Sequence, residues 1–563
     1  MANAKLTPVA KGLIGLVVLG GLGAAGWHLG LKNMVGGDGE SGSSGDGGGE
    51  TANVEADPSA PLGTAANPLK VSIVSFHGYA PALVANGNSL TTQPGSIAAN
   101  NGVSVEYVIQ DNVPTLTEIF TSGAAHCAWR TSDFWAQEQP NLRNAEMDGR
   151  AVMVVDNTQG GDAIIARDPA IRNVEDLVGK KVALLEFTPS HGMLIDAIQN
   201  SSLTERQKSR IEYVFINVDE GTAGVRAALE GGNVDAAVLW DPDLSLAMRS
   251  AEGAHVIYST RVATNLIYDV MVCDKRVLDD SANQGAIQNW VKSWMEGVPA
   301  ARADQDAAVT ALVETQDMFG QLAQSQGREF IKSLFSNVIW TGIEDNMRIL
   351  GLAGGTNHYE RVYRRFDRIY RAAGALANPN SPVIQPQDSF DMRYIRALAD
   401  EASASARAEA QRPQFEFSEA ERSAIATAVE ADEATPVVTR PVTVNFASGS
   451  ADLNERSKRT INEEMVPLIE NHGSAYFEVS GNTDSTGSAR VNQPLSEQRA
   501  SAVVDYLVEQ WEFERERFIV VGNGSEKPLC NEDSPEEGMS EEDCRSRNRT
   551  TRVAILQRNT PEG

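Results

Sequence analysis

A carboxylate and a guanidinium fifteen residues apart are the side chains of this sequence best placed to do chemistry. Asp484 lies in the run Gly481-Asn482-Thr483-Asp484-Ser485-Thr486-Gly487, whose composition marks a turn, and Arg499 follows in Asn492, Leu495-Ser496 and Arg499-Ala500. A turn presenting a carboxylate opposite an arginine in the first turn of a helix can hold a small zwitterion from both ends. One group takes an ammonium and the other a carboxylate.

The flanking pattern must position that pair. Val437 to Phe446 alternates as a strand, Asn454 to Glu470 reads as a helix, and Tyr476 to Val479 is a short strand running into the Asp484 turn. A helix capped by Ser496 follows, with Val503, Tyr506 and Leu507 on its apolar face, then strands at Phe518 to Val521 and Arg552 to Leu556.

These motifs, with Asn445-Phe446, Ser450, Leu453, Gly522-Asn523-Gly524, Pro528 and Asn548-Arg549, resemble the OmpA-like peptidoglycan-binding domain over roughly the last 120 residues. The resemblance implies that Asp484 and Arg499 bind the diaminopimelate of the wall peptide, with Thr483, Asn492 and Arg549 completing the site. One departure is Asn548-Arg549-Thr550-Thr551, where the family more often carries a second arginine, which leaves Thr550 without an inherited role. The bland alternative makes Asp484 a turn residue and Arg499 a surface charge.

At 563 residues the chain exceeds a single core, so at least two domains are expected. A net charge of −28 with no basic stripe argues against nucleic acid as a partner. Gly12 to Leu31 has no formally charged side chain and follows Lys5 and Lys11, as expected of a single inner-membrane span with the rest of the chain in the periplasm. A cleaved signal peptide is the competing reading, with Gly23 and Ala25 as small cleavage-site residues; the apolar run continuing through Trp27 and Leu31 favours a retained anchor. The expected division is an anchor at 1–35, a flexible Gly/Ser/acidic tether at 36–67, a large α/β domain at 68–410, a connector at 411–436 and the wall-binding domain at 437–563. Cys530 and Cys544 bracket an acidic insertion and are expected to form a disulfide, which would contribute about 3 kcal/mol in the chain-entropy model. Cys127 and Cys273 lie in apolar runs and are expected as buried free thiols.

From Leu69 short apolar runs alternate with helical stretches, the signature of an α/β domain with largely parallel strands. The strands read at Lys70–Val74, Ala125–Trp129, Ala151–Val155, Ala163–Ala166, Lys181–Leu185, Tyr213–Val218, Ala236–Leu239, His255–Tyr258 and Ile267–Cys273 divide into two lobes, with crossings near Gln159–Asp162 and Ala263–Asp269. Two lobes joined by two crossings make a hinge over a cleft. The motifs Phe76-His77-Gly78-Tyr79-Ala80-Pro81, Gly161 to Arg167, Asp176-Leu177-Val178-Gly179-Lys180-Lys181-Val182 and Val234 to Pro242 look like the nitrate, sulfonate and taurine type of periplasmic solute-binding protein. The fold class implied is a two-lobed α/β binding-protein domain plus a small α+β OmpA-like domain.

Loops at strand ends are where such a cleft takes its contacts. The candidates are Tyr79, Arg130, Thr131, Thr188, Ser190, His191 and Asp241, for a small polar or anionic solute. Ser190 has a second role open to it as a helix cap, Trp129 and Trp240 as core, and Arg130 as a partner of Asp133. No nucleophile elbow, zinc spacing, phosphate loop or cysteine cluster occurs, so no enzyme, cofactor or metal is expected. The resemblance implies a membrane-tethered, wall-anchored solute receptor, with an ABC permease as a possible further partner. A passive brace between inner membrane and wall is the alternative. An ion-driven stator is disfavoured because Gly12–Leu31 holds no carboxylate.

Overall fold

The computed structural model describes residues 57–558, apart from 443, 445, 448, 536 and 537. The Gly12–Leu31 segment, most of the tether and Asn445 lie outside the described residues. No helix among the described residues is long and apolar enough to cross a membrane. The tether gives way to folded chain before residue 67. Gly63 N–H bonds the Asn67 carbonyl at 2.8 Å, and the Gly63 carbonyl accepts from Ser104 N–H at 2.7 Å, so residues 57–67 are stitched to the large domain.

The first lobe holds β1 (Leu69–Ile73), β2 (Val105–Ile109), β3 (Cys127–Thr131) and β4 (Gly149–Thr158); the chain then crosses to β5 (Asp162–Ala166). The second lobe continues with β6 (Lys181–Leu185), β7 (Glu212–Ile216), β8 (Ala236–Trp240) and β9 (His255–Ser259) before the chain returns to β10 (Tyr268–Asp274) and later β11 (Val338–Trp340). The sheet orders are β11-β4-β10-β3-β1-β2 and β7-β6-β8-β5-β9. Both crossings fall in the expected segments, and they are bonded to each other: Thr260 N–H donates to the Asp162 carbonyl at 3.0 Å and Gly160 N–H to the Thr260 hydroxyl at 2.9 Å.

The expectation of largely parallel strands needs correcting. β1 runs parallel to β2 and β3, and β6 to β7 and β8, but β10 is antiparallel to both β3 and β4, and β5 to both β8 and β9. The cause is the crossing itself, because a chain that leaves one lobe and returns beside its exit strand must run the other way. This also overturns the expectation for Cys127 and Cys273. They are directly opposed on antiparallel β3 and β10 and form a disulfide across 146 residues of sequence. Cys530–Cys544 forms as expected.

After β10 the chain is predominantly helical. The helix His358–Ala373 was not anticipated as a link: it packs on Ser132–Asn144 of the first lobe and Pro189–Gln199 of the second. Tyr363 donates to Gln139 at 2.7 Å on one side, while Arg365 pairs with Asp196 and Tyr370 donates to the Thr188 carbonyl at 3.0 Å on the other.

The C-terminal sheet has the order β12-β15-β13-β14, from β12 (Val438–Val442), β13 (Tyr476–Gly481), β14 (Phe518–Gly522) and β15 (Thr551–Leu556). Phe477, Val479 and Phe518 face the helices Val466–Asn471 and Ala489–Trp511, joined by Val503 and Leu507. The opposite face, Tyr476, Ile519 and Leu556, is covered by Ile425 from the helix Glu419–Glu430, so part of the supposed connector belongs to this domain's core. The long helix begins at Ala489 rather than at a Ser496 cap and contains Pro494. Ser496 is instead buried against the sheet, its hydroxyl donating to the Gln493 carbonyl at 2.7 Å and accepting from Gly524 N–H at 2.9 Å. That approach requires Gly481, where a Cβ would stand 2.0 Å from the Ser496 carbonyl oxygen.

The C-terminal domain docks on the second lobe and its crossing. Asn265 N–H donates to the Asn471 carbonyl at 3.1 Å and its side chain to the Glu470 carbonyl at 2.6 Å. Tyr258 Oη meets His472 Nε2 at 2.9 Å, and the Ser474 hydroxyl donates to the Arg261 carbonyl at 2.6 Å. Further off, Thr439 N–H donates to Glu175 at 3.0 Å.

Candidate functional sites

β13 delivers the turn at Asp484 beside the long helix. Asp484 is buried, its side chain 11 % exposed; the carboxylate accepts from Arg549 Nη1 at 2.5 Å and Thr486 N–H at 3.0 Å. Burial alone would raise its pKa, but the bonds from Arg549 and Thr486 outweigh that and hold it below the ordinary value. Arg499 does not touch Asp484. Its guanidinium donates to the Ser450 carbonyl at 3.1 Å and lies over the Phe446 ring at 5.0 Å, while burial lowers its pKa and the charge of Asp484 opposes that shift.

Asp484 and Arg499 are thus brought into one electrostatic neighbourhood without pairing, and Arg549 occupies one side of the carboxylate. Asn492 is a positioning group, its amide donating to the Thr486 carbonyl at 3.1 Å. The hydroxyls of Thr483 and Thr550 are buried here and have no partner. Thr550, which carried no inherited role, accepts from Asn482 N–H at 3.1 Å through its carbonyl.

In the cleft the residues read from sequence separate. Tyr79 donates its hydroxyl to Asp269 Oδ2 at 2.6 Å, and Trp129 Nε1 donates to the same oxygen at 2.9 Å. Arg130 is turned the other way, because strand neighbours alternate faces. It pairs with Glu138, which also accepts from its Nη2 at 2.9 Å, and lies 5.6 Å from the Phe120 ring centroid. Neither a solute contact nor the pairing with Asp133 holds for Arg130. Thr188 is the residue at the helix start, and its hydroxyl bonds the Leu185 carbonyl at 2.9 Å. Ser190 caps nothing; its hydroxyl is buried and unpartnered, as is that of Thr131. His191 is a core histidine, its Nδ1 accepting from Phe187 N–H at 3.2 Å and its ring edge-on to Tyr213 and Phe215, with burial lowering its pKa to about 4. Asp241 accepts from Asn337 Nδ2 at 2.7 Å and Ser245 N–H at 3.0 Å, and burial raises its pKa to about 6. Trp240 packs against the second-lobe core.

Sequence reasoning missed the carboxylates. Thr131, Asp269, Asp156 and Trp340 stand directly opposite one another on β3, β10, β4 and β11, which puts all four on one sheet face. Asp133 and Asp162 lie nearby, and the hydroxyls of Thr131 and Thr158 face them. Burial raises Asp133 and Asp269 to about 7 and takes Asp156 and Asp162 well above the carboxylate range, with the charge of Asp269 adding to each of the last two. The available signal was an aspartate at the end of each buried apolar run, where a charge is rarely tolerated without a purpose.

The chain is thus a two-lobed α/β domain with two crossings between its lobes, followed by a β-α-β-α-β unit carrying an Asp turn. Residues 445–541 match the OmpA family. Among curated relatives, 91 residues are 38 % identical to Photosystem I P700 chlorophyll a apoprotein A2 of Gloeobacter violaceus, covering 16 % of this chain and 10 % of that one. Another 94 are 34 % identical to Outer membrane porin F of Pseudomonas aeruginosa, 17 % and 27 % of the two chains. A further 85 are 34 % identical to a protein of Escherichia coli K12 assigned as aliphatic-sulfonates-binding, 15 % and 24 %. The chain thus spans about a quarter or less of the relatives it matches. Among solved structures, the aliphatic sulphonate binding protein SsuA of Escherichia coli is 16 % identical, with a TM-score of 0.43, covering 58 % of this chain and 92 % of that one. The alkanesulfonate-binding SsuA of Xanthomonas axonopodis pv. citri gives 17 %, 0.42, 58 % and 100 %.

Proposed function

We propose that this protein is a cell-envelope receptor that captures a small polar solute between its two lobes and is held to peptidoglycan by its C-terminal domain. The observation that carries the reading is buried polar groups on both lobes: Ser190 of the second lobe is 1 % exposed with a hydroxyl that has no hydrogen-bond partner, and Thr131 of the first is 3 % exposed with its hydroxyl turned to the buried Asp133. A solute touching both would favour the closed state, since only there do both sets reach one molecule. Asp484 and Arg499 are the residues we assign to the wall peptide, supported by Thr483, Asn492 and Arg549. Gly12–Leu31 supplies an inner-membrane anchor in this reading, and delivery to a permease or ligand-dependent signalling is the output. The wall peptide and membrane would then hold the protein at two points, raising the local concentration of each weak contact.

Sedimentation with diaminopimelate-type peptidoglycan tests the wall contact. Asp484→Ala and Arg499→Ala should each remove most co-sedimentation, because each leaves its counterpart unpaired against the zwitterion; wild-type-like sedimentation of both folded variants would remove the clamp. Calorimetry and small-angle scattering with sulfonates, nitrate, phosphate and pyrimidines test capture and lobe closure. The passive brace keeps a place as second reading because the helix His358–Ala373 is fastened to both lobes. A chain that binds the wall and never opens would favour it.

A further inference from the structure

Five aspartates are buried in and beside the strands that flank the two crossings. Asp133, Asp156 and Asp269 come from the first lobe, Asp162 from the start of β5 and Asp241 from the end of β8, all at most 4 % exposed. Among the described residues none of the five forms an ion pair, and both oxygens of Asp156 have no hydrogen-bond partner, while Asp133 is faced by the Thr131 hydroxyl and by backbone N–H groups at its own helix start. The one arginine expected here, Arg130, is committed to Glu138 on the far side of β3. Asp156 and Asp269 are directly opposed on β4 and β10, the arrangement in which like charges repel most.

The hydroxyl of Thr131 stands in the same cross-strand row and faces Asp133. Phe76 and Tyr79 flank these carboxylates: a Cβ on Gly78 would lie 2.0 Å from Asp156 Oδ2 and 2.8 Å from the Phe76 ring, and Tyr79 and Trp129 both hold Asp269. We propose that the solute taken by this cleft is an organic cation, an ammonium or guanidinium head on a small frame. This proposal rests on the solute-binding reading above.

Carboxylates without a protein counter-charge offer such a head its charge and hydrogen-bond acceptors, the Thr131 and Ser190 hydroxyls offer further acceptors, and aromatic rings beside them favour a desolvated cation. An anion would have to enter among five aspartates, and the buried His77 beside them offers it no charge because burial lowers its pKa to about 3. A bare metal ion is a poorer match, since no group of three or more His, Cys, Asp or Glu among the described residues has the spacing to hold one.

The test uses the full chain in calorimetry and small-angle scattering at pH 8, with tetramethylammonium, putrescine and agmatine as cations and ethanesulfonate, nitrate and phosphate as anions. At least one cation should bind and compact the protein, and Asp156→Asn and Asp133→Asn should each weaken it tenfold or more. Their thermal midpoints should not fall, because each variant removes a repelling charge and keeps the shape of the site. Binding of an anion with none of a cation would overturn the assignment of charge while leaving solute capture in place. No heat and no compaction with any probe would overturn capture itself. Unchanged cation affinity in both variants would put the cation somewhere other than the cleft and overturn the proposal.

Discussion

Asp156 and Asp269 face each other across β4 and β10 with Asp133, Asp162 and Tyr79 around them, so their ionisation is opposed by burial and by one another. A carboxyl whose pKa is raised in the folded state holds its proton more tightly there than in the unfolded chain, where it titrates near 4. Its effect on stability is therefore most favourable below about pH 4 and declines as pH rises towards the folded value, about 7 for Asp133 and Asp269. Thermal melts of the full chain should show Asp156→Asn gaining on the wild type as pH goes from about 4 to 8; a constant difference would show that the pair is not titrating. Asp484 has the opposite sign. Its lowered pKa makes its contribution complete above the ordinary carboxylate range and lost as pH falls through the folded value. At this scale the sequence was readable where residues are local. The Asp484 turn and the Cys530–Cys544 loop are each one continuous stretch, whereas the Asp156–Asp269 row joins positions more than a hundred residues apart whose register no local pattern records.

Strands such as β8, and β6 after its exposed Lys181, are apolar because both faces are covered, and such runs stand out in a sequence. β2 interrupts its run with Glu106, and β11 is three residues long, so neither produces a recognisable signal. The direction of β10 was hidden for a different reason. Strand propensity says nothing about orientation, and it is orientation that turns Cys127 and Cys273 from two thiols into a disulfide. The helix read as capped by Ser496 begins seven residues earlier at Ala489, with Ser488 in extended conformation before it, and runs through Pro494. The pressing of that helix on β13 gives an element-level prediction. Gly481→Ala would drive a Cβ into the Ser496 backbone, and overpacking of this kind costs about 1–3 kcal/mol. Denaturant unfolding should show that loss together with weaker wall binding, since Gly481 leads directly into the Asp484 turn; an unchanged midpoint would mean that helix and strand can separate without cost.

The two lobes are joined by more than their crossings. The helix His358–Ala373 grips both, so opening of the cleft must release it from one side, through either the Tyr363–Gln139 or the Tyr370–Thr188 bond. The C-terminal domain adds a second constraint, because its Glu470–Ser474 segment is bonded to Arg261 and Asn265 within the return crossing and to Tyr258 just before it. Hydrogen exchange should therefore report solute capture at a distance: amide protection at residues 470–475 should change when the cleft is occupied, and protection confined to the cleft strands would show that the domains do not communicate. Binding free energies that share an element are reciprocal. If the crossing is the fulcrum on which the lobes turn and the C-terminal domain holds the wall as proposed, then a pull through residues 470–474 acts on the same fulcrum. Tension in the envelope would alter how tightly the solute is held, and the solute would alter how stiffly the protein resists that tension, so one small turn would make the receptor a gauge of mechanical load.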